Sequence, residues 1–131
     1  QKVYEDTLTA KSGLRAWASF DANQEALPRY FPNYYKRRVK RKIPMKSIHP
    51  DTPLAREDTV ENKRFLRKSV LVPKKKFDII PEIQIYDNKV NIVSWRDKLG
   101  IIIESQEIAN ALTAIFELCY GSARTFYGER K

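Results

Sequence analysis

One histidine and one cysteine limit the chemistry this chain can perform. His49 stands in His49-Pro50-Asp51-Thr52-Pro53, which reads as a turn following a strand, at the lip of a basic region. It is a candidate ligand contact or pH-sensitive group, or else a turn histidine satisfying local backbone. Cys119 falls on an apolar helical stripe, where a thiol reads as a core residue rather than a nucleophile. A zinc site needs about four His/Cys ligands at close spacing, and the chain cannot supply them. Glycines occur only at 13, 100, 121 and 128, so no phosphate-cradling glycine loop can be written. The acids Glu57 and Asp58 sit in a charged helix and are expected to face solvent. Catalysis, a metal and a cofactor are therefore not expected.

Cations dominate what remains. The run Lys36-Arg37-Arg38-Val39-Lys40-Arg41-Lys42 is the strongest compositional feature. Successive helical residues project about 100° apart, so the run encircles its helix. Arg37, Arg38 or Arg41 must then approach the domain body, where a guanidinium needs a carboxylate or a bound anion. Tyr30, Phe31, Tyr34 and Tyr35 precede the run and read either as a base-stacking platform or as core edge. Net charge is +9, with 25 Lys/Arg against 16 Asp/Glu. Residues 28–76 carry sixteen of those cations and only four acids, so the middle is +12 and the rest −3. Such asymmetry points to an anionic partner: nucleic acid, a phosphorylated ligand or an acidic surface.

Positioning these groups takes alternating strands and helices. Residues 2–12 read as a short helix ended by Gly13. Residues 14–20 alternate with period two, a strand. Asp21 or Asn23 can cap a helix that Pro28 and Pro32 interrupt, with a second half over 33–42. Residues 43–48 read as a strand, with Pro44 at its start or marking it as an edge. A helix over 57–68 would turn Val60 and Phe65 inward, and 69–72 add a short strand. Residues 82–86 and 89–93 flank Asp87-Asn88 as a hairpin pairing Ile85 with Val90, Ile83 with Ile92 and Gln84 with Asn91. Residues 101–104 are expected to form a strand buried on both faces. Ser105 then caps a helix carrying Ile108, Leu112, Ile115 and Cys119 inward, ended by Gly121. Trp17, Trp95 and Phe126 are expected to be exposed and to mark an interface. No apolar run approaches the length of a membrane span, and a lone cysteine fits a reducing compartment. The opening Gln1-Lys2-Val3-Tyr4 is expected of a segment from a longer protein.

The C-terminal half resembles the effector domain of TrmB-like transcriptional regulators. The resemblance rests on Ile85-Tyr86 and Lys89-Val90 in the hairpin, on Gly100 and Ile103-Glu104 in the next strand, and on Ile108-Ala109, Phe116-Glu117 and Tyr120 in the last helix. Tyr34-Tyr35-Lys36-Arg37-Arg38 and Arg67 match upstream, so the resemblance spans residues 14–120. It implies an α/β (α+β) fold, a phospholipase D-like half unit with a mixed central sheet, a β-hairpin and flanking helices, as one domain over 1–131. Active members of that superfamily carry H-x-K-x4-D. Here Asp51 stands where the lysine should be, two residues after His49, so the resemblance too implies no catalysis.

The function implied is a ligand-sensing and dimerisation domain of a cytoplasmic transcription regulator. It would be a homodimer that reaches DNA through a winged-helix domain upstream of this chain. A small anionic ligand would meet Tyr34, Arg38, His49 and Arg67, where the helix near Asn33 faces the strand ends. The alternative is a direct nucleic-acid-binding domain that places Lys36, Arg37, Lys40, Arg41, Lys42 and Lys46 on phosphates.

Overall fold

The hairpin of residues 82–94 forms in the register its sequence dictates. Ile85 pairs with Val90, Ile83 with Ile92 and Gln84 with Asn91, and Asp87 takes a positive φ of 51° at the turn. The computed structural model describes residues 1–78 and 81–131. In chain order the elements are α1 (Lys2–Thr7), β1 (Leu14–Trp17), α2 (Phe20–Ala26), α3 (Phe31–Lys40), β2 (Met45–Asp51) and α4 (Pro53–Thr59). They continue with β3 (Arg67–Pro73), β4 (Glu82–Tyr86), β5 (Lys89–Ser94), β6 (Leu99–Glu104) and α5 (Gln106–Tyr127). The fold class is mixed α/β, as expected. Six strands form one sheet in the order β3-β2-β1-β4-β5-β6. β1, β2 and β3 are parallel, and α2, α3 and α4 supply the crossovers that parallel pairing requires. The remaining pairings are antiparallel.

Period two and this register split the sheet into two unlike faces. One carries Trp17, Ile48, Val70, Ile85 and Val90 against Ala109, Phe116 and Tyr120 of α5. Trp17 meets Phe116 edge-on at 5.0 Å. The other carries Ser47, His49, Arg67, Ser69, Glu82, Gln84 and Asn91, all buried beneath α1–α4. α1 and α3 add an aromatic cluster there: Tyr4 stacks on Trp95 at 5.9 Å and meets Phe31 edge-on at 5.1 Å.

Several elements differ from the sequence expectation. Residues 49–51 extend β2 and form no turn; Pro50 is tolerated because its backbone faces the β1 side, where pairing has already ended at Trp17–Ile48. Thr52 rather than a residue near 57 caps α4, through a 3.1 Å bond from the Ala55 amide, and Val60 is exposed. Ser19 caps α2, two to four residues earlier than Asp21 or Asn23. α1 ends at Thr7. β6 is an exposed sheet edge, not a strand buried on both faces. Gly100 in it admits Val3, whose Cγ2 would lie 2.7 Å from a Cβ there. α5 runs through Gly121 to Tyr127. Its core stripe is Ala109, Leu112, Phe116, Cys119 and Tyr120, while Ile108 and Ile115 face outward. Trp17 is buried, Trp95 half-buried and Phe126 exposed. No described helix is long and apolar enough to cross a membrane.

Candidate functional site

At the carboxyl end of β1 the two neighbouring strands depart differently, β2 parallel and β4 antiparallel. Such switch points are where open α/β sheets gather ligand-facing groups. Here His49 of β2 is sealed beneath Phe20, which stacks on it at 4.0 Å. His49 Nδ1 lies 2.9 Å from the Ala18 carbonyl, and Nε2 lies 2.7 Å from Ser47 Oγ. A carbonyl can only accept, so the proton is assigned to Nδ1 and Nε2 accepts from Ser47. The chain continues in one sense. Ser69 donates to Ser47 at 2.8 Å, Asn62 Nδ2 donates to Ser69 at 3.2 Å, and Arg67 Nε donates to Asn62 Oδ1 at 2.6 Å. Five buried side chains thus form one directed relay from Arg67 to the Ala18 carbonyl. Burial, reinforced by the Arg67 charge, drives the His49 pKa down to about 3. A neutral imidazole with both nitrogens engaged is a poor nucleophile and a poor proton shuttle near neutral pH.

Tyr34, His49 and Arg67 line a common cavity with Glu82 and Gln84, but its volume is only about 20 Å³, room for a single water. Arg38 is buried next to it without lining it. Arg38 donates 2.7 Å bonds to the Ile43 and Phe65 carbonyls, satisfying two of the loop groups that end α3 and precede β3. Burial lowers its pKa to about 10. Arg67 donates to the Asp58 carbonyl at 3.0 Å and lies 5.0 and 5.1 Å from the Phe20 and Tyr35 rings, a cation–π cage. Among the described residues no carboxylate pairs with either guanidinium. The buried cations that sequence reasoning assigned to carboxylates or anions are held instead by carbonyls, an amide and aromatic faces. Tyr34 hydrogen-bonds Thr7, and burial pushes its pKa up to about 12.

Sequence reasoning missed Glu82, Tyr4, Asn23 and Asn62. Glu82 is buried, takes a hydrogen bond from Tyr4 and another from Gln84 at 2.8 Å, and burial raises its carboxyl. A signal was present: Glu82, Gln84 and Asn91 share one face of a hairpin inside a sheet that helices cover on both sides.

The six basic residues of the alternative reading do not share one surface. Lys36, Lys40, Arg41 and Lys42 are exposed around the free end of α3. Arg37 makes a bidentate pair with Glu5 at 2.7 Å, which together with Tyr30 holds the Glu5 carboxyl down at about 2. Lys46 projects from the opposite, α5-covered face of the sheet and bonds Glu117 at 3.2 Å, beside Arg15 on the same carboxylate. Near Lys46 lies a larger cleft of about 760 Å³, at the amino ends of β1, β2 and β3. Leu14, Pro44, Met45 and Leu66 line it together with Arg15, Lys46, Lys63, Arg67 and Lys68. Asn62 and Arg67, the first links of the relay, form part of the wall of this cleft, with their side chains buried behind its surface.

The arrangement is a mixed α/β domain with one dry sheet face, one buried polar face and a cation-rimmed cleft. Its fold is similar to that of TrmBL2, an archaeal chromatin protein whose structure is described as showing a novel mode of DNA binding. The two agree with a TM-score of 0.65 at 13% identity, over 93% of this chain and 48% of that one. The chain therefore spans about half the length of that neighbour. No family model matches the chain, and no curated protein does.

Proposed function

We propose that this chain is a non-catalytic ligand-sensing and dimerisation domain of a TrmB-like transcription regulator in the cytoplasm, built as a phospholipase D-like half unit. The observation that carries the reading is the fold likeness to a DNA-binding chromatin protein over nearly the whole of this chain, at about half of the neighbour's length. That proportion suits one module of a regulator whose DNA contacts lie in another. The neutral, fully engaged His49 supports a non-catalytic role. A small anionic effector is accommodated in the 760 Å³ cleft, not in the 20 Å³ cavity beside Tyr34 and His49. There it would meet Arg15, Lys46, Lys63 and Lys68 on the rim, with Arg67 and Asn62, the start of the relay to His49, buried in the wall behind them.

A second reading has its own observation. Lys36, Lys40, Arg41 and Lys42 are exposed and make no ion pair among the described residues, so α3 could place them on phosphates. Fluorescence anisotropy with a random-sequence duplex at about 50 and 200 mM salt, run beside light scattering, separates the two. A dimer that hardly binds duplex at the higher salt supports the sensor module. A monomer that binds strongly with a steep salt dependence supports direct nucleic-acid binding and overturns the first reading.

A further inference from the structure

α5 is apolar on two sides, and the fold uses only one. Its 22 residues hold just three charged side chains, Glu107, Glu117 and Arg124, in a chain that is 31% charged overall. Ala109, Phe116 and Tyr120 are spent on the sheet. Ile108, Ala111, Ile115, Leu118 and Ser122 recur at spacings of three and four on another face, the pattern of a helix seam. Leu118 is 78% exposed, Phe126 77% and Ile115 50%. The sheet itself needs more cover. Six strands about 4.8 Å apart span some 24 Å, whereas one helix with its side chains is about 10 Å wide. Ile101 of β6, on the α5 side of the sheet, is accordingly left exposed.

Gly121 adds an independent sign. It lies inside the helix, where glycine weakens the structure relative to alanine. A Cβ there would meet nothing within 4 Å, so this chain's own packing gives no reason for it. A glycine of this kind suits close approach by another backbone.

We infer that α5 packs antiparallel against α5 of a second copy of this chain, about a two-fold axis between Ile115 and Leu118. The inference rests on the dimerisation reading above and names its surface. The sequence is self-complementary about that axis. Ile115 of one copy meets Leu118 of the other, Ala111 faces Ser122 where the helices come closest, and Ile108 lies opposite Thr125, next to the exposed Phe126. Glu107 comes within a turn of Arg124, and the two helix dipoles oppose. Both copies carry +9, and this charge-poor face is where they can approach with least repulsion. A nucleic-acid or anionic membrane surface fits it poorly, since Arg124 is the only cation on the helix.

The test is sedimentation equilibrium of the full chain and its variants, with circular dichroism as the folding control. Leu118→Arg, at an exposed position, keeps the fold and raises the dimer Kd about a hundredfold. Glu107→Arg and Arg124→Glu each weaken the dimer about fivefold, and the double reversal restores it. A wild-type dimer indifferent to Leu118→Arg and to both reversals overturns this surface while leaving the dimerisation reading intact. A wild-type monomer up to millimolar concentration overturns both.

Discussion

Acid should unfold this protein earlier than its carboxylates require, because His49 must become charged to titrate. Its pKa is about 3 in the folded chain against 6.5 when unfolded. Between those values the unfolded chain binds a proton that the folded chain refuses, so stability falls as pH falls. At pH 5 the unfolded imidazole is one and a half units below its pKa, and at 1.36 kcal/mol per unit the loss is about 2 kcal/mol relative to pH 7. Protonation also breaks the relay's direction: His49 would donate from both nitrogens, and Ser47 could no longer donate to it. Urea unfolding followed by Trp17 and Trp95 fluorescence at pH 7, 6 and 5 measures the loss. His49→Asn removes the titration while keeping a donor for the Ala18 carbonyl. The variant is less stable at pH 7 by about 1–3 kcal/mol, but it lacks the extra 2 kcal/mol acid loss. Glu82 titrates with the opposite sign, and the difference between wild type and variant cancels it. Glu5, Asp6 and Glu117, whose pKa values are lowered, contribute only below about pH 4.5. Parallel decline of wild type and variant from pH 7 to 5 would refute the sealed, neutral imidazole.

Three further outcomes follow from the same structure. Arg38→Ala leaves the Ile43 and Phe65 carbonyls without donors and opens a void behind α3, costing about 3 kcal/mol by urea unfolding. Phe116→Ala removes a fully buried ring from the dry sheet face and costs about 3–5 kcal/mol, with loss of the near-ultraviolet dichroism of Trp17. Glu82, with its folded pKa raised by burial, gives stability that is present below about pH 4.5 and lost as pH rises toward the folded value. Glu82→Gln abolishes that decline, so the wild-type advantage measured by the same unfolding assay shrinks from pH 4 to pH 7.

The hairpin, the element order and the mixed sheet were legible in the sequence because each rests on local periodicity and turn chemistry. Asp87-Asn88 alone sets the register of Ile83, Ile85, Val90 and Ile92. The errors came where tertiary context decides. Residues 101–104 look like a buried strand, but hydrophobicity does not say whether a neighbouring strand exists, and among the described residues β6 has none on its outer side. The four proposed ligand residues illustrate the same limit. That one cation of the 36–42 run must turn inward follows from helical geometry, and Arg38 does. That its partners would be carbonyls rather than a carboxylate could not be read from spacing. Tyr34, His49 and Arg67 do meet around one cavity, yet only the packing of Phe20 and Tyr4 reveals that it is nearly filled.

The two sheet faces also explain how a fold can be shared at 13% identity. The α5 side asks only for apolar groups of suitable volume at alternate positions, a demand many sequences meet. The opposite side asks for particular donors and acceptors, since each buried group in the Arg67-to-His49 relay is satisfied by one specific neighbour. Exchange of one member orphans the next, at a cost of about 1–3 kcal/mol per unsatisfied group. Architecture is therefore carried by the permissive face, and individuality by the exacting one. Because Asn62 and Arg67 belong both to the relay and to the wall of the cleft, a change at either is felt on both sides.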